Sequence, residues 1–150
     1  MASFMYNAGA ALILSKAVAG AALDLRARLV CTNTTVDTEN DGKDHLDDFT
    51  TMDTHDGSGY ADIACTSETV TTDDTNGRGV LDVADITWSS LGAGTRSIEG
   101  VLIYHQDSAA DSGRIPVVFI DTTNIASNGG DVTLTINASG LLAITGTGAP

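Results

Sequence analysis

The sequence predicts a mainly β fold: an antiparallel β-sandwich or barrel-like domain with one short N-terminal helix. Three observations point there. Runs rich in β-branched and aromatic residues recur about every 8–12 residues, the spacing of strands in sandwiches and barrels. Between them lie clusters such as Asp56-Gly57-Ser58-Gly59 and Asn76-Gly77, the residue types that turns require. Small residues dominate and aromatics make up only 5%, which suits short strands and many turns better than a helical bundle.

The helix is expected over residues 6–18. Ala8, Ala11, Leu12, Leu14, Ala17 and Val18 give it propensity, Asn7 is a candidate cap, and Gly20 is a candidate stop. Residues 23–30 alternate, with Leu23, Leu25, Ala27 and Leu29 on one side and Asp24, Arg26 and Arg28 on the other, the pattern of a half-buried strand. Its two arginines are expected on the outer face, paired with carboxylates of a neighbouring strand or subunit at ~0–1 kcal/mol each. Residues 32–48 form a polar, acidic connection with a helical turn near 44–49, where Leu46 and Phe49 clip it to the core.

Short strands are expected at 49–54, 60–65, 68–72, 79–83 and 86–89. The strand at 68–72 should fold back on 79–83 through Asn76-Gly77, since both residues tolerate positive φ. A Gly/Ala loop follows. Residues 96–105 and 115–121 form the central pair. Val101-Leu102-Ile103-Tyr104 and Val117-Val118-Phe119-Ile120 are nearly continuous apolar runs, as in strands covered on both faces. Pro116 argues against a helix there. Alternation at 131–137 and an apolar run at 141–145 complete about nine strands. A chain of 150 residues suits one domain with a real core. The reading is therefore a single β domain over 1–150, with the lightly charged segments 1–6 and 146–150 as extended arms.

Seven basic residues face 20 acidic ones, a net charge of −13. Gripping nucleic acid needs clustered Lys and Arg, so a nucleic-acid partner is not expected. A membrane is not expected either, because no apolar run approaches ~18 residues. The apolar stretch at 8–14 has no basic residue before it, so it does not read as a secretory leader. Cys31 and Cys65 belong to no Cys-x-x-Cys motif. Two buried thiols are the common state for such residues, and a mutual disulfide is the alternative.

The most motif-like segment is 37–48, which approaches a calcium loop. Asp37, Glu39 and Asp41 stand at its first, third and fifth positions, Gly42 at the sixth and Asp48 at the twelfth. Calcium takes about six to eight oxygens and the glycine permits the sharp turn. Glu39 departs from the usual Asp or Asn, Asp48 is too short for bidentate binding, and Lys43 adds a positive charge. These four acids are weak metal candidates, and a solvated acidic loop is the default. His45, His55 and His105 share no ligand spacing. No nucleophile elbow, zinc-protease helix or phosphate-cradling loop is present in the sequence, so no catalytic residue and no cofactor is assigned. The glycine pairs Gly57/Gly59 and Gly92/Gly94 lack the strand-to-helix context of a phosphate loop. Phe4, Tyr6, Trp88 and Tyr104 are the interface candidates. For Trp88 the favoured reading is a core plug whose N–H reaches a backbone carbonyl, with a hot spot between subunits as the alternative, and Tyr104 is open in the same way.

The order of features resembles a group of small virion structural proteins of tailed bacteriophages. The matching pieces begin with Tyr6-Asn7 before a helix holding Lys16, the strand 25–30, and His45-Leu46-Asp47-Asp48-Phe49. They continue with Gly57-Ser58-Gly59-Tyr60, Thr69-Val70-Thr71 and the run from Val80 to Ser89. Arg96 through Gly100 to Tyr104, and Pro116 to Asp121, complete them. The most specific part is Asp85-Ile86-Thr87-Trp88-Ser89 followed by Gly100-Val101-Leu102-Ile103-Tyr104. His105 stands where a Lys is more usual, and the loop at 34–43 is longer and more acidic.

The resemblance implies a non-enzymatic protein, a capsid decoration or cement protein that binds the outer surface of the head and stabilises it. It further implies a homo-oligomer, a trimer suiting local threefold points, with the major capsid protein or other virion proteins as partners. It places the protein in the virion, assembled in the host cytoplasm. The alternative within the group is a tail, fibre or baseplate binding domain contacting other virion proteins or the host surface. A secreted calcium-dependent β domain is a further rival, from the loop at 37–48.

Overall fold

A computed structural model describes residues 3–145 of the chain. Strand accounts for 37% of residues and helix for 13%. The chain is thus mainly β, with antiparallel sheets and one short N-terminal helix. It divides into two compact units. The first is drawn from Met1–Ala64 and Trp88–Val132, the second from Cys65–Thr87 and Thr133–Pro150.

The first unit is built on a five-stranded antiparallel sheet. In chain order its strands are β1 (Phe4–Met5), β2 (Leu25–Cys31), β3 (Ile63–Ala64), β7 (Ile98–Gln106) and β8 (Arg114–Ile125), arranged β1-β8-β7-β2-β3. The apolar runs of β7 and β8 lie side by side, Leu102 opposite Phe119 and Ile103 opposite Val118. Both strands are buried on both faces through this stretch. Pro116 is accommodated where the register slips between Ile103 and Tyr104, the kind of irregularity at which a strand tolerates a residue without an N–H. The core gathers Tyr6, Val30, Val36, Leu46, Phe49, Leu102, Tyr104 and Phe119.

Helix α1 (Asn7–Ala19) ends at Gly20, whose φ of +62° provides the left-handed stop. Its start differs from the expected Asn7 cap. Tyr6 is the cap residue and no side chain caps the helix. Tyr6 is instead fixed by its N–H on the Val117 carbonyl at 3.0 Å and its hydroxyl on the Val36 carbonyl at 2.6 Å. The Asn7 amide turns outward to Asp41. Helix and sheet approach so closely at Gly9 that a Cβ there would lie 2.5 Å from the Val117 backbone. Of the expected N-terminal arm, Phe4 and Met5 pair with Phe119 and Val118 as an edge strand, and Phe4 packs against the core. Met1, Ala2 and the expected arm at 146–150 lie outside the described residues.

The expected strand at 49–54 forms only an isolated bridge, Val30 to Thr54, next to a 3₁₀ turn at Leu46–Asp48. Side chains take the place of a ladder there. Thr35 Oγ1 accepts the Thr51 N–H at 3.0 Å, and Glu39 accepts the Thr50 N–H at 2.9 Å. Such local bonds compete with strand pairing.

The second unit holds a three-stranded antiparallel sheet of β4 (Thr69–Asp73), β5 (Arg78–Asp82) and β10 (Leu142–Thr145), ordered β10-β5-β4. The hairpin of β4 on β5 forms as the turn chemistry predicts. Only Gly77, with φ +60°, takes a positive angle; Asn76 instead donates its N–H and its amide to Asp73. Strands β6 (Ile86–Trp88) and β9 (Val132–Leu134) pair as a ribbon. The latter stops short of the expected 131–137, because the Asp85 carboxylate takes the Ile136 N–H at 2.9 Å.

Candidate functional site

Arg28 is the feature around which a site is built. It sits in mid-β2 between apolar neighbours and is buried, 6% exposed. The expected pairing of this arginine with carboxylates is found, but the arginine is buried and not at an exposed outer face, because two segments cover that face. One carries Tyr60 and Asp62 and the other Asp111 and Arg114. The guanidinium donates to Asp62 from Nε (3.0 Å) and Nη2 (2.9 Å), and to both Asp111 oxygens at 3.1 Å. Asp62 also accepts the hydroxyls of Tyr60 and Tyr104, each at 2.8 Å. The Tyr60 oxygen accepts the Leu29 N–H at 3.0 Å. Arg114 donates to Asp111 at 2.7 Å, and both guanidinium carbons lie 5.3 Å from the Tyr104 ring centre. Met52 and Thr54 complete the wall of a cleft of about 340 Å³ over this network.

Two arginines and two aspartates make the network neutral. Burial works to raise the Asp111 carboxyl, but the hydrogen bonds and charges of Arg28 and Arg114 hold it below the usual carboxylate range. Burial, aided by Asp62, pushes the Tyr104 hydroxyl up to about 12 and raises that of Tyr60 as well. General acid–base work calls for a group that titrates near the working pH. Here the tyrosines stay neutral and Asp111 stays charged. The arrangement acts as a clamp that fastens two loops to the β2–β7 face.

His55 and His105 are committed to packing too. His105 is buried; its Nδ1 accepts the Asp24 N–H at 2.9 Å, so Nε2 carries the proton and donates to Asp107 at 2.8 Å. His55 is also buried and its Nε2 lies 3.2 Å from the Gly92 carbonyl. One glycine from each pair noted in the sequence lies against this ring. A Cβ at Gly57 would fall 2.4 Å from His55 Nε2, and one at Gly94 2.4 Å from its Cε1. These glycines are there for close approach.

The acids of the calcium-like loop do not converge. Glu39 bonds Thr35 and Thr50 and pairs with Lys43; Asp41 takes the Asn7 amide; Asp48 closes its own turn on the Asp44 and His45 N–H groups. Asp37 is buried, with one oxygen unpartnered. Among the described residues the group with ligand atoms close enough to share an ion is His45, Asp47 and Asp48, on an exposed turn. Asp48 is already engaged there in closing the turn.

Of the interface candidates, Tyr6, Trp88 and Tyr104 are buried within the chain. Trp88 donates its N–H to the Ala61 carbonyl at 3.0 Å. Phe4 is half-buried against Tyr6 and Phe119. The clamp itself escaped the sequence. Its one signal was an arginine on the polar side of the alternating strand β2. Its partners Asp62 and Asp111 lie 34 and 83 positions away, among twenty acids.

Among the described residues no helix is long and apolar enough to cross a membrane. Comparison with protein-family models, with curated proteins and with solved structures finds no match to this chain.

Proposed function

We propose that this protein is a non-enzymatic structural protein of a tailed-phage virion, a decoration or cement protein that binds the outer surface of the head as a homo-oligomer. The observation that carries the reading is the disposition of charge. All seven Lys and Arg side chains are paired with acids of the same chain. Lys16 meets Asp107, Arg26 meets Asp24, Lys43 meets Glu39, Arg78 meets Asp73 and Arg96 meets Asp53, while Arg28 and Arg114 sit in the clamp. The excess charge of −13 is thus carried by the acidic side chains that outnumber the basic ones. Such a surface repels nucleic acid and stays soluble. It suits attachment to a protein shell that offers neutral or basic ground. The clamp supports the same reading, since its side chains are committed to one another in a network that fastens loops to the sheet. The location on the head follows the sequence resemblance. Cryo-electron microscopy of the particle tests it, together with copy number from quantitative gels. Density on the capsid lattice at hundreds of copies is expected; density confined to the tail would refute the head assignment and favour a tail or baseplate domain.

A further inference from the structure

The sheet of the second unit ends on strands with no hydrogen-bonded neighbour on their outer sides among the described residues. Open edges invite pairing, and soluble proteins blunt them with charge, proline or bulges. Strand β10 has none of these. It pairs with β5 in unbroken register over all four of its residues. It lies in Thr133–Pro150, a segment without a single charged residue in a chain of net −13. The face beside it exposes apolar side chains on its two outer strands, while Leu81 on the central strand is buried. Register places Val70, Leu81 and Leu142 in one row and Thr72, Gly79 and Ile144 in the next. Val70 is 79% exposed and Ile144 51%. A Cβ on Gly79 would meet nothing within 4 Å, so the space over the central strand is empty there.

We infer that β10 is the docking edge for a second copy of this chain. The two β10 strands pair antiparallel across a two-fold axis, joining two three-stranded sheets into one and continuing the Leu142–Ile144 face. Charge selects this edge. Copies that each carry −13 repel at most approaches, and β4, the other edge, is flanked by Glu68, Asp73 and Asp74. Symmetry selects the mode. A strand lying antiparallel to its own copy is what a two-fold axis generates, with the same residues contributed from both sides. The inference deepens the proposed function, resting on its picture of a self-assembling protein.

Sedimentation equilibrium of the purified full chain tests it, comparing wild type with Ile144→Asp and Thr145→Lys. Both positions are exposed, so circular dichroism and the melting temperature of the dissociated protein should be unchanged. Wild type is expected to be a dimer that tightens with added salt, as repulsion is screened. Each variant should weaken it at least about tenfold. A monomeric wild type, a trimer, or a dimer indifferent to both substitutions would overturn the inference. The two proposals fail separately. A monomer found on the capsid sinks the docking edge alone, and a dimer absent from the particle sinks the virion reading alone.

Discussion

Replacing Arg28 by Met measures what the clamp contributes. Methionine keeps an unbranched apolar stem in the same space and removes the guanidinium with its four hydrogen bonds to Asp62 and Asp111. Removing one partner of a buried ion pair costs ~3–5 kcal/mol, because the other charge is left uncompensated. The two aspartates do not lose equally. Asp62, 17% exposed, keeps the Tyr60 and Tyr104 hydroxyls but loses its hydrogen-bonded cation, with Arg114 remaining only at 3.9 Å. Asp111 is 36% exposed and keeps Arg114 at 2.7 Å, so water and Arg114 restore much of its loss. The expected cost is therefore near the lower bound, about 3 kcal/mol. At a urea slope of ~2 kcal/mol/M the midpoint should fall by ~1.5 M, and the melting temperature by roughly 6–12 °C. Trp88 is the chain's sole tryptophan and is buried in the same unit, so its fluorescence reports this unfolding directly. Acid supplies a second reading. A carboxyl whose folded pKa is depressed, as that of Asp111 is, contributes fully above its unfolded value of ~3.9 and loses that contribution as pH falls through the folded value. The gap between wild type and Arg28→Met should narrow below about pH 4. A loss under about 1 kcal/mol would refute the clamp, since it would make these contacts equivalent to surface ion pairs.

Two further substitutions probe the surrounding packing. Gly100→Ala should cost ~1–3 kcal/mol by overpacking, because its Cβ would lie 2.5 Å from the buried Phe119 ring and 2.7 Å from the Ile120 carbonyl; a neutral result in calorimetry would show that the ring yields freely. Tyr60→Phe should cost ~1–3 kcal/mol in urea unfolding, since it strands the Leu29 N–H and removes a donor from Asp62; unchanged stability would mean that water serves both groups.

The strands legible in the sequence are those whose signal is local. The apolar runs of β7 and β8 and the Asn76-Gly77 turn each carry their instruction within a few residues. Residues 49–54 misled because threonine has strand propensity, while Thr35, Thr51 and Glu39 had alternative bonds that propensity does not count. Trp88 is the core plug, bonded to a backbone carbonyl, that the sequence favoured, whereas the partners of Tyr6 and Tyr104 were not legible. The hydroxyl of Tyr6 reaches Val36, 30 positions away, a partner that only the folded chain reveals. The clamp was invisible for the same reason. An arginine in a strand announces that it needs carboxylates, and twenty acids supply too many choices. The glycines around His55 show the converse case, a pattern plainly visible whose purpose is steric and appears only once the ring is in place.

The internal pairing of every Lys and Arg has a consequence for how the two proposed contacts respond to salt. A head surface that holds this chain through its carboxylates must supply the cations, since the chain has none to spare; added salt screens that attraction. The β10 edge brings together uncharged strands of two repelling copies, so added salt removes an obstacle there. The Debye length falls from ~8 Å at physiological ionic strength to ~3 Å at 1 M, enough to act on both contacts. Raising salt should therefore release the protein from particles while tightening the dimer, and the released species should sediment as a dimer. If both contacts weakened together, the β10 edge would have to contain charge pairing that an uncharged strand cannot provide, and the docking mode would be wrong. If particle binding held firm in molar salt, the acidic surface would not be the part of the protein that meets the shell.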